Sequence, residues 1–220
     1  MNQFSDRSEA GRTLASLLAA YDERDEAIVM GLPRGGVPVA FEVAKALHLP
    51  LDVMVVRKLR APGQPELAIG AIASGGTSIL NDQVAQLVDD TAQLRAELQH
   101  QSIELHHRES LYRNGRLPPN IKRRTVILVD DGSATGASMR AAIRAARRLG
   151  AARVIAAVPV ASSDALRLMR SEADEVACIL EPEMFLSVGQ WYRDFEQTDD
   201  TEVVALLAQS RVRHRDLAHS

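Results

Sequence analysis

The sequence predicts an α/β domain in which a parallel sheet is flanked by helices. Apolar runs of strand length alternate with helical patterns along most of the chain, the order that builds strand–crossover–strand units. The run at 126–129, Val-Ile-Leu-Val, is continuously apolar, as a strand covered on both faces must be. A length of 220 residues with 46% hydrophobic composition is enough for one sizeable core.

The elements follow in order. Residues 27–31 are a short apolar run closing on Gly31, the first core strand. From 37 to 47, Val39, Val43, Ala44 and Leu47 fall on one helical stripe. Residues 51–56 are β-rich, and 67–73 and 77–80 flank Ser74-Gly75-Gly76, a hairpin turn. Residues 125–129 form a strand, and the helical pattern at 136–149 stops at Gly150. Residues 153–158 read as a strand, 164–170 as a helix and 175–180 as a last strand.

One segment departs from this alternation. From 82 to about 114 there is no breaker, and Val84, Leu87, Leu94, Leu98 and Leu105 fall near a seven-residue spacing. This is one long amphipathic helix with Asn81 or Asp82 as N-cap, ended by Asn114-Gly115 and Pro118-Pro119. It lies across its own domain or against a second subunit, and the spacing slightly favours the first. The expected organisation is a single domain over 1–220, with a core at about 27–180, a helical insertion at about 82–114, a small C-terminal hood at about 181–210 and a frayed polar tail at 211–220.

Composition excludes several classes. With Lys+Arg 26 against Asp+Glu 29, the chain lacks the basic surplus of a dedicated nucleic-acid binder. No run approaches the roughly 18 apolar residues of a membrane span, and the polar start MNQFSDRSEAGR lacks a signal peptide's apolar region. The lone Cys178 forms no intramolecular disulfide and reads as a core residue. A soluble, cytoplasmic protein is expected. His100, Glu104 and His107 share a helical face, as zinc ligands do, but such a face is ordinarily solvated. Arg140, Arg144, Arg147 and Arg148 form a basic stripe and Lys122-Arg123-Arg124 a cluster, both read as surface.

The chemistry is concentrated at 126–138, VILVDDGSATGAS. Two acids, Asp130 and Asp131, end a strand, and Gly132-Ser133-Ala134-Thr135-Gly136 leads into a helix. Ligands of open α/β sheets bind beyond the carboxyl ends of the strands. Small residues let backbone N–H groups approach an anion, and the helix N-terminus adds partial positive charge. The loop therefore suits a phosphate, with Ser133, Thr135 and Ser138 as hydroxyl donors. The acids suit the hydroxyls of a ribose diol or a metal shell. No Gly-Lys-Ser/Thr follows, which excludes a nucleoside-triphosphate P-loop, and no G-x-G-x-x-G is present. A second small-residue loop, Gly31-Leu32-Pro33-Arg34-Gly35-Gly36, follows the first strand, with Arg34 as a charged donor. At 55–63, Arg57, Lys58 and Arg60 end a strand and enter a Pro/Gly loop that also holds Glu66 nearby. The stretch 181–195 holds Phe185, Trp191, Tyr192 and Phe195, the largest aromatic cluster of an aromatic-poor chain. It is read equally as a stacking surface for a planar substrate and as an apolar clamp on the C-terminal segment.

All 13 residues of 126–138 resemble the phosphoribosyl-pyrophosphate-binding motif of the type I phosphoribosyltransferases. The segments GLPRGGVPVA, VVRKL and VDDGSATGA together are similar to those of a bacterial group within that family. The resemblance implies the type I phosphoribosyltransferase fold, with Asp130 and Asp131 on the ribose hydroxyls and Ser133, Ala134, Thr135, Gly136 and Ala137 on the 5′-phosphate. It implies Arg34, Gly35, Gly36, Arg57, Lys58 and Arg60 on the pyrophosphate, with Arg34, Arg57 and Lys58 as the catalytic cations. Phe185-Leu186-Ser187-Val188-Gly189 is similar to a Phe-x-x-Val-Gly stretch of the hypoxanthine-guanine enzymes, so Phe185 or Trp191 would stack on the base; Glu66, from its place in the loop after Arg60, would touch it. The spacing to Asp194 departs from that pattern, and no purine-selecting lysine stands upstream. The implied reaction moves phosphoribose from phosphoribosyl pyrophosphate to a nitrogenous base with Mg²⁺, releasing pyrophosphate, in a homodimer. No protein-held metal set is implied. Two other readings share the motif: a regulator that binds phosphoribosyl pyrophosphate without transferring it, with the arginine stripe on nucleic acid, and a hydrolase or phosphorylase releasing ribose phosphate.

Overall fold

The computed structural model describes residues 3–61, 64–80 and 91–217, with backbone alone for 61, 64–68, 80, 91 and 215–217. The chain runs α1 (Arg7–Leu17), β1 (Ala27–Gly31), α2 (Gly36–Ala46), β2 (Leu51–Val53), β3 (Val56–Ala61), β4 (Gln64–Ala73), β5 (Thr77–Leu80) and α3 (Thr91–Arg113). It continues through β6 (Thr125–Val129), α4 (Ala137–Arg148), β7 (Arg153–Val160), α5 (Ser163–Arg170), β8 (Glu175–Leu180) and α6 (Asp200–Leu217).

Five strands form a parallel sheet in the order β2-β1-β6-β7-β8. The fold class is therefore the parallel-sheet α/β architecture expected. Alternate residues of β1 and β6 feed two cores. Val29 and Ile127 pack with Val39, Val43, Leu105 and Leu207 on one face, and Ile28, Met30 and Leu128 pack with Met139, Ile143 and Leu166 on the other. Burial on both sides is why these strands read as unbroken apolar runs. Strand order grows from β1 to β2 on one side and to β6 on the other, so the order reverses between β1 and β6. The crevice beyond their carboxyl ends is where such sheets bind ligands.

The β-rich stretch 51–56 divides between two sheets. At Met54 and Val55 the chain leaves the parallel sheet: the Met54 N–H still donates to Gly31, while the Val55 N–H donates to the Ser74 hydroxyl. Strands β3, β4 and β5 then form an antiparallel sheet, with Ser74-Gly75-Gly76 turning β4 into β5 as predicted.

Three elements differ from expectation or sharpen it. Helix α1 lies in a stretch that looked merely polar. It is capped by Asp6, whose carboxylate accepts from the Glu9 N–H, and it buries Ala10, Leu14 and Ala15. The tail is not frayed through 211–217, because α6 continues to Leu217. The long helix is described as α3 from 91 to 113, and Asn81, Asp82, Val84 and Leu87 lie outside the described residues. It packs against β3, β4 and α6, with Leu94 and Leu98 partly and Leu105 and Tyr112 fully buried, so it lies across its own domain. Its end is tied down by a buried guanidinium. Arg113 donates to Asp52 at 2.8 Å, to the Val53 carbonyl at 2.9 Å and to Glu109 at 3.1 Å. Among the described residues no helix is long and apolar enough to cross a membrane.

Candidate functional site

The loop between β6 and α4 is held from below by the end of β7. The Ser133 N–H donates to Val160, the Ser162 N–H donates to the Ser133 carbonyl, and the Ser162 hydroxyl donates to Ala134. Ser133 turns inward and its hydroxyl oxygen accepts from the Gly136 N–H. Gly136 has φ 74°, a left-handed conformation that glycine adopts without strain, and it starts α4. Ala134, Thr135 and Ala137 are exposed and the Ala137 N–H donates to the Thr135 hydroxyl at 3.4 Å, so the loop and the first turn of α4 are accessible to an anion.

The β1–α2 loop meets this loop directly. The Leu32 N–H donates to Val129 and the Gly36 N–H to Leu32, closing a tight turn; the Pro33–Arg34 peptide is cis. Gly35 lies against the second acid, where a Cβ would stand 2.0 Å from Asp131 Oδ2. A Cβ on Gly36 would stand 2.6 Å from the Val129 carbonyl oxygen and 2.8 Å from Asp130 Cα. These neighbours are mostly backbone and cannot swing away, so Gly36→Ala is expected to cost about 1–3 kcal/mol by overpacking. Thermal denaturation checks this, and an unchanged midpoint would mean that the loop is not seated on β6. Arg34 is half-buried, with its Nη1 4.0 Å from Asp200 Oδ1 at the start of α6; Tyr112 donates to the same oxygen at 2.7 Å. Burial and that hydrogen bond push the Tyr112 hydroxyl up to about 12.

The acidic pair is unequal. Burial, and then the charge of Asp131, push Asp130 well above the usual carboxylate range. Burial also raises Asp131, but the neighbouring Arg7 pulls it back. Arg7 of α1 was absent from the sequence-based candidates. Its Nε and Nη2 each lie 2.9 Å from Asp131 Oδ2, its Nη1 donates to the Glu196 carbonyl, and its guanidinium stacks 4.0 Å from the Phe195 ring centre. The signal that could have found α1 is Asp6-x-x-Glu9, with Glu9 reaching back to Ser5, before the apolar positions 10, 14, 15 and 18.

The cations of 57–60 stand on the last part of a strand. They belong to β3, whose residues alternate faces. Arg57 donates to Gln101 of α3 at 2.8 Å, and burial and Arg108 lower its pKa. Lys58 and Arg60 are on the other face and exposed. The three cations are thus not brought together on one face. Pro62 and Gly63 lie outside the described residues, and so does the side chain of Glu66.

The aromatic stretch folds as a clamp. Trp191, 7% exposed, packs with Phe4, Ala10, Val160 and Tyr192. Its ring is therefore buried in the protein and not offered to a planar ligand. Phe185 is partly buried on the same cluster, between the exposed Met184 and Leu186. Val188 covers Gly132, which ties the clamp to the acidic loop, and the Tyr192 hydroxyl donates to the Asp131 carbonyl.

Much of the basic stripe is engaged internally. Arg140 and Arg144 share Glu172, and Arg147 pairs with Asp174, so three of its four arginines are held by two carboxylates. Cys178 is largely buried and its thiol is pushed up to about 11 by burial, which keeps it an unreactive thiol. A cavity of about 310 Å³ lined by Glu23, Asp25, His48, Arg124 and His214 opens at the opposite, amino-terminal end of the sheet.

Comparison with known proteins agrees with this geometry. Residues 3–196 match the family described as phosphoribosyl transferase domain. In two strains of Mycobacterium tuberculosis, a protein named "Putative phosphoribosyl transferase" is 48% identical over 221 aligned residues, covering 100% of this chain and 49% of the other. The chain thus spans about half the length of these curated relatives. The crystal structure of TT1426 from Thermus thermophilus is 43% identical with a TM-score of 0.82, covering 94% of this chain and 98% of that one.

Proposed function

We propose, from the premise that this chain belongs to the phosphoribosyl transferase domain family, that it transfers phosphoribose from phosphoribosyl pyrophosphate to a nitrogenous base and releases pyrophosphate. The observation that carries the reading is the contact of Gly35 with Asp131 and of Gly36 with Val129 and Asp130. It seats two anion loops on one acidic pair at the point where the strand order reverses.

Asp130 and Asp131 accept the ribose hydroxyls. Residues 133–137 and the first turn of α4 hold the 5′-phosphate. Gly35, Gly36 and Arg34 hold the pyrophosphate, with Lys58 and Arg60 of the β3–β4 hairpin supplying further positive charge and Arg57 braced on α3. As the bond from the anomeric carbon to pyrophosphate breaks, its electron pair leaves on an oxygen that these cations stabilise, and the acceptor nitrogen bonds to the same carbon. Orientation and charge neutralisation suffice, with no protein nucleophile. The base side falls to the segment around Phe185, not to the buried Trp191.

Among the described residues no three His, Cys, Asp or Glu side chains cluster as a metal site. The donors present fit an Mg²⁺ that the substrate's own oxygens chelate, with at most the acidic pair contributing. When bound, that ion would offset pyrophosphate charge. A homodimer working in the cytoplasm belongs to the same proposal. The regulator reading loses support from the stripe, whose Arg140, Arg144 and Arg147 are engaged by Glu172 and Asp174.

Two experiments test this. Pyrophosphate release from phosphoribosyl pyrophosphate, screened over purines and pyrimidines, is expected to require one base; binding without release by any base would favour the regulator, and release of ribose phosphate without a base the hydrolase. Arg34→Ala is expected to weaken pyrophosphate binding by about tenfold or more, the weight of a charge-assisted contact, and ribose 5-phosphate binding much less. Equal losses would remove Arg34 from the pyrophosphate role.

A further inference from the structure

Resting on that reading, we propose that Arg7 of α1 is the positioning residue of the acidic pair: it pins Asp131 in place and in charge, so that the ribose hydroxyls meet a fixed carboxylate.

Every nitrogen of the guanidinium is committed. Nε and Nη2 converge on one oxygen, Asp131 Oδ2, each at 2.9 Å. Nη1 donates to the Glu196 carbonyl at 2.7 Å. The plane lies over Phe195 at 4.0 Å and within 6.0 Å of Tyr192, which itself donates to the Asp131 carbonyl. Gly35 closes on the same Oδ2 from the pyrophosphate loop. The carboxylate is therefore held between an arginine and a loop backbone, in a pair whose side chains are only 12% and 14% exposed.

The clamp is built for this contact. The Phe4 N–H donates to Trp191, the Arg193 N–H to Phe4 and the Asp194 N–H to Ser5, so the segment leading into α1 is stitched to 191–194. The Asp6 cap then starts the helix one residue before Arg7. A clamp that served only to anchor the N-terminus could use apolar contacts, as Phe4 and Ala10 do. An arginine at this point instead solves a problem peculiar to the site: two adjacent carboxyls, both withdrawn from water, cannot both hold charge and geometry without a cation. The charged and titratable groups facing Asp131 are Asp130 on its own strand end, Arg7 on α1 and Tyr192 in the clamp.

The test is calorimetric titration of the full chain and its Arg7→Met and Arg7→Lys variants with two probes, ribose 5-phosphate and inorganic pyrophosphate. Arg7→Met is expected to weaken ribose 5-phosphate about tenfold or more and pyrophosphate distinctly less, since Arg7 reaches that loop only at Gly35. Arg7→Lys should recover part of the loss. Adding Arg7→Met to Asp131→Asn should cost little beyond Asp131→Asn alone. If Arg7→Met does not fold, Arg7→Lys with and without Asp131→Asn supplies the same comparison. Equal weakening of both probes, full additivity with Asp131→Asn, or no loss at all would overturn the assignment. Failure of the wild type to bind ribose 5-phosphate is a different result, and would overturn the transferase reading with it.

Discussion

Asp130→Asn is expected to abolish binding of phosphoribosyl pyrophosphate and at the same time to raise the melting temperature. Asp130 is withdrawn from water beside a second carboxylate, which raises its pKa well above the usual range. A carboxyl whose folded pKa exceeds its unfolded value holds its proton more tightly when folded. Stability therefore falls as pH rises from the unfolded value, about 3.9, to the raised folded one, and stays low above it. Above that window the wild type carries the full penalty and the neutral asparagine does not. Each pKa unit is worth about 1.4 kcal/mol, and each kcal/mol moves the midpoint of a chain this long by about 2–4 °C. The gain should shrink on acidification through the same window. Asp131→Asn should abolish binding too but gain less stability, since Arg7 pulls the Asp131 pKa back towards the usual range and loses its charge partner. The double variant should be folded and unable to bind. Thermal melts across pH 5–8, paired with binding, check all of this; normal binding by the double variant would remove the acids from the ribose site.

Arg113→Met is expected to destabilise the fold by about 3–5 kcal/mol, the cost of stranding one member of a buried ion pair. Arg113 is 2% exposed, and Asp52, 9% exposed, would lose its cation while still accepting only from the Val53 N–H. The damage falls on β2, from which the chain enters β3, and on the end of α3. Asp52→Leu added to Arg113→Met should recover part of the loss, because it removes the stranded Asp52 while Glu109 still lacks its arginine. Urea unfolding measures both, and a loss below about 1 kcal/mol would mean that solvent reaches the pair.

The parts of the site that were legible in the sequence are those built from contiguous residues. The acidic pair and the 132–136 loop sit on one strand–loop–helix stretch, and apolar patterning fixes which end of the strand they occupy. The Arg34 loop was legible for the same reason. The fold class followed from alternation, because each buried strand and its covering helix leave their own periodicity. What remained hidden depends on partners far apart in sequence. Arg7 and Asp131 are 124 residues apart, and nothing local to either announces the other. The basic stripe looked free because Glu172, which pairs with both Arg140 and Arg144, stands 32 and 28 residues away. Residues 57–60 read as three cations acting together at a strand end, yet cross-strand pairing with β4 puts Arg57 and Lys58 on opposite faces. The aromatic stretch had two equal readings, and packing against Phe4 and Ala10 decides for the clamp at Trp191.

The most direct measurement is calorimetric titration of the wild type and of the Asp130→Asn/Asp131→Asn variant with phosphoribosyl pyrophosphate in the presence of Mg²⁺. The account predicts saturable binding at one site per chain for the wild type and none for the variant, with circular dichroism showing both folded. Absence of binding to the wild type, or equal binding by the two proteins, would contradict the claim that the acidic pair and its two loops form a phosphoribose site.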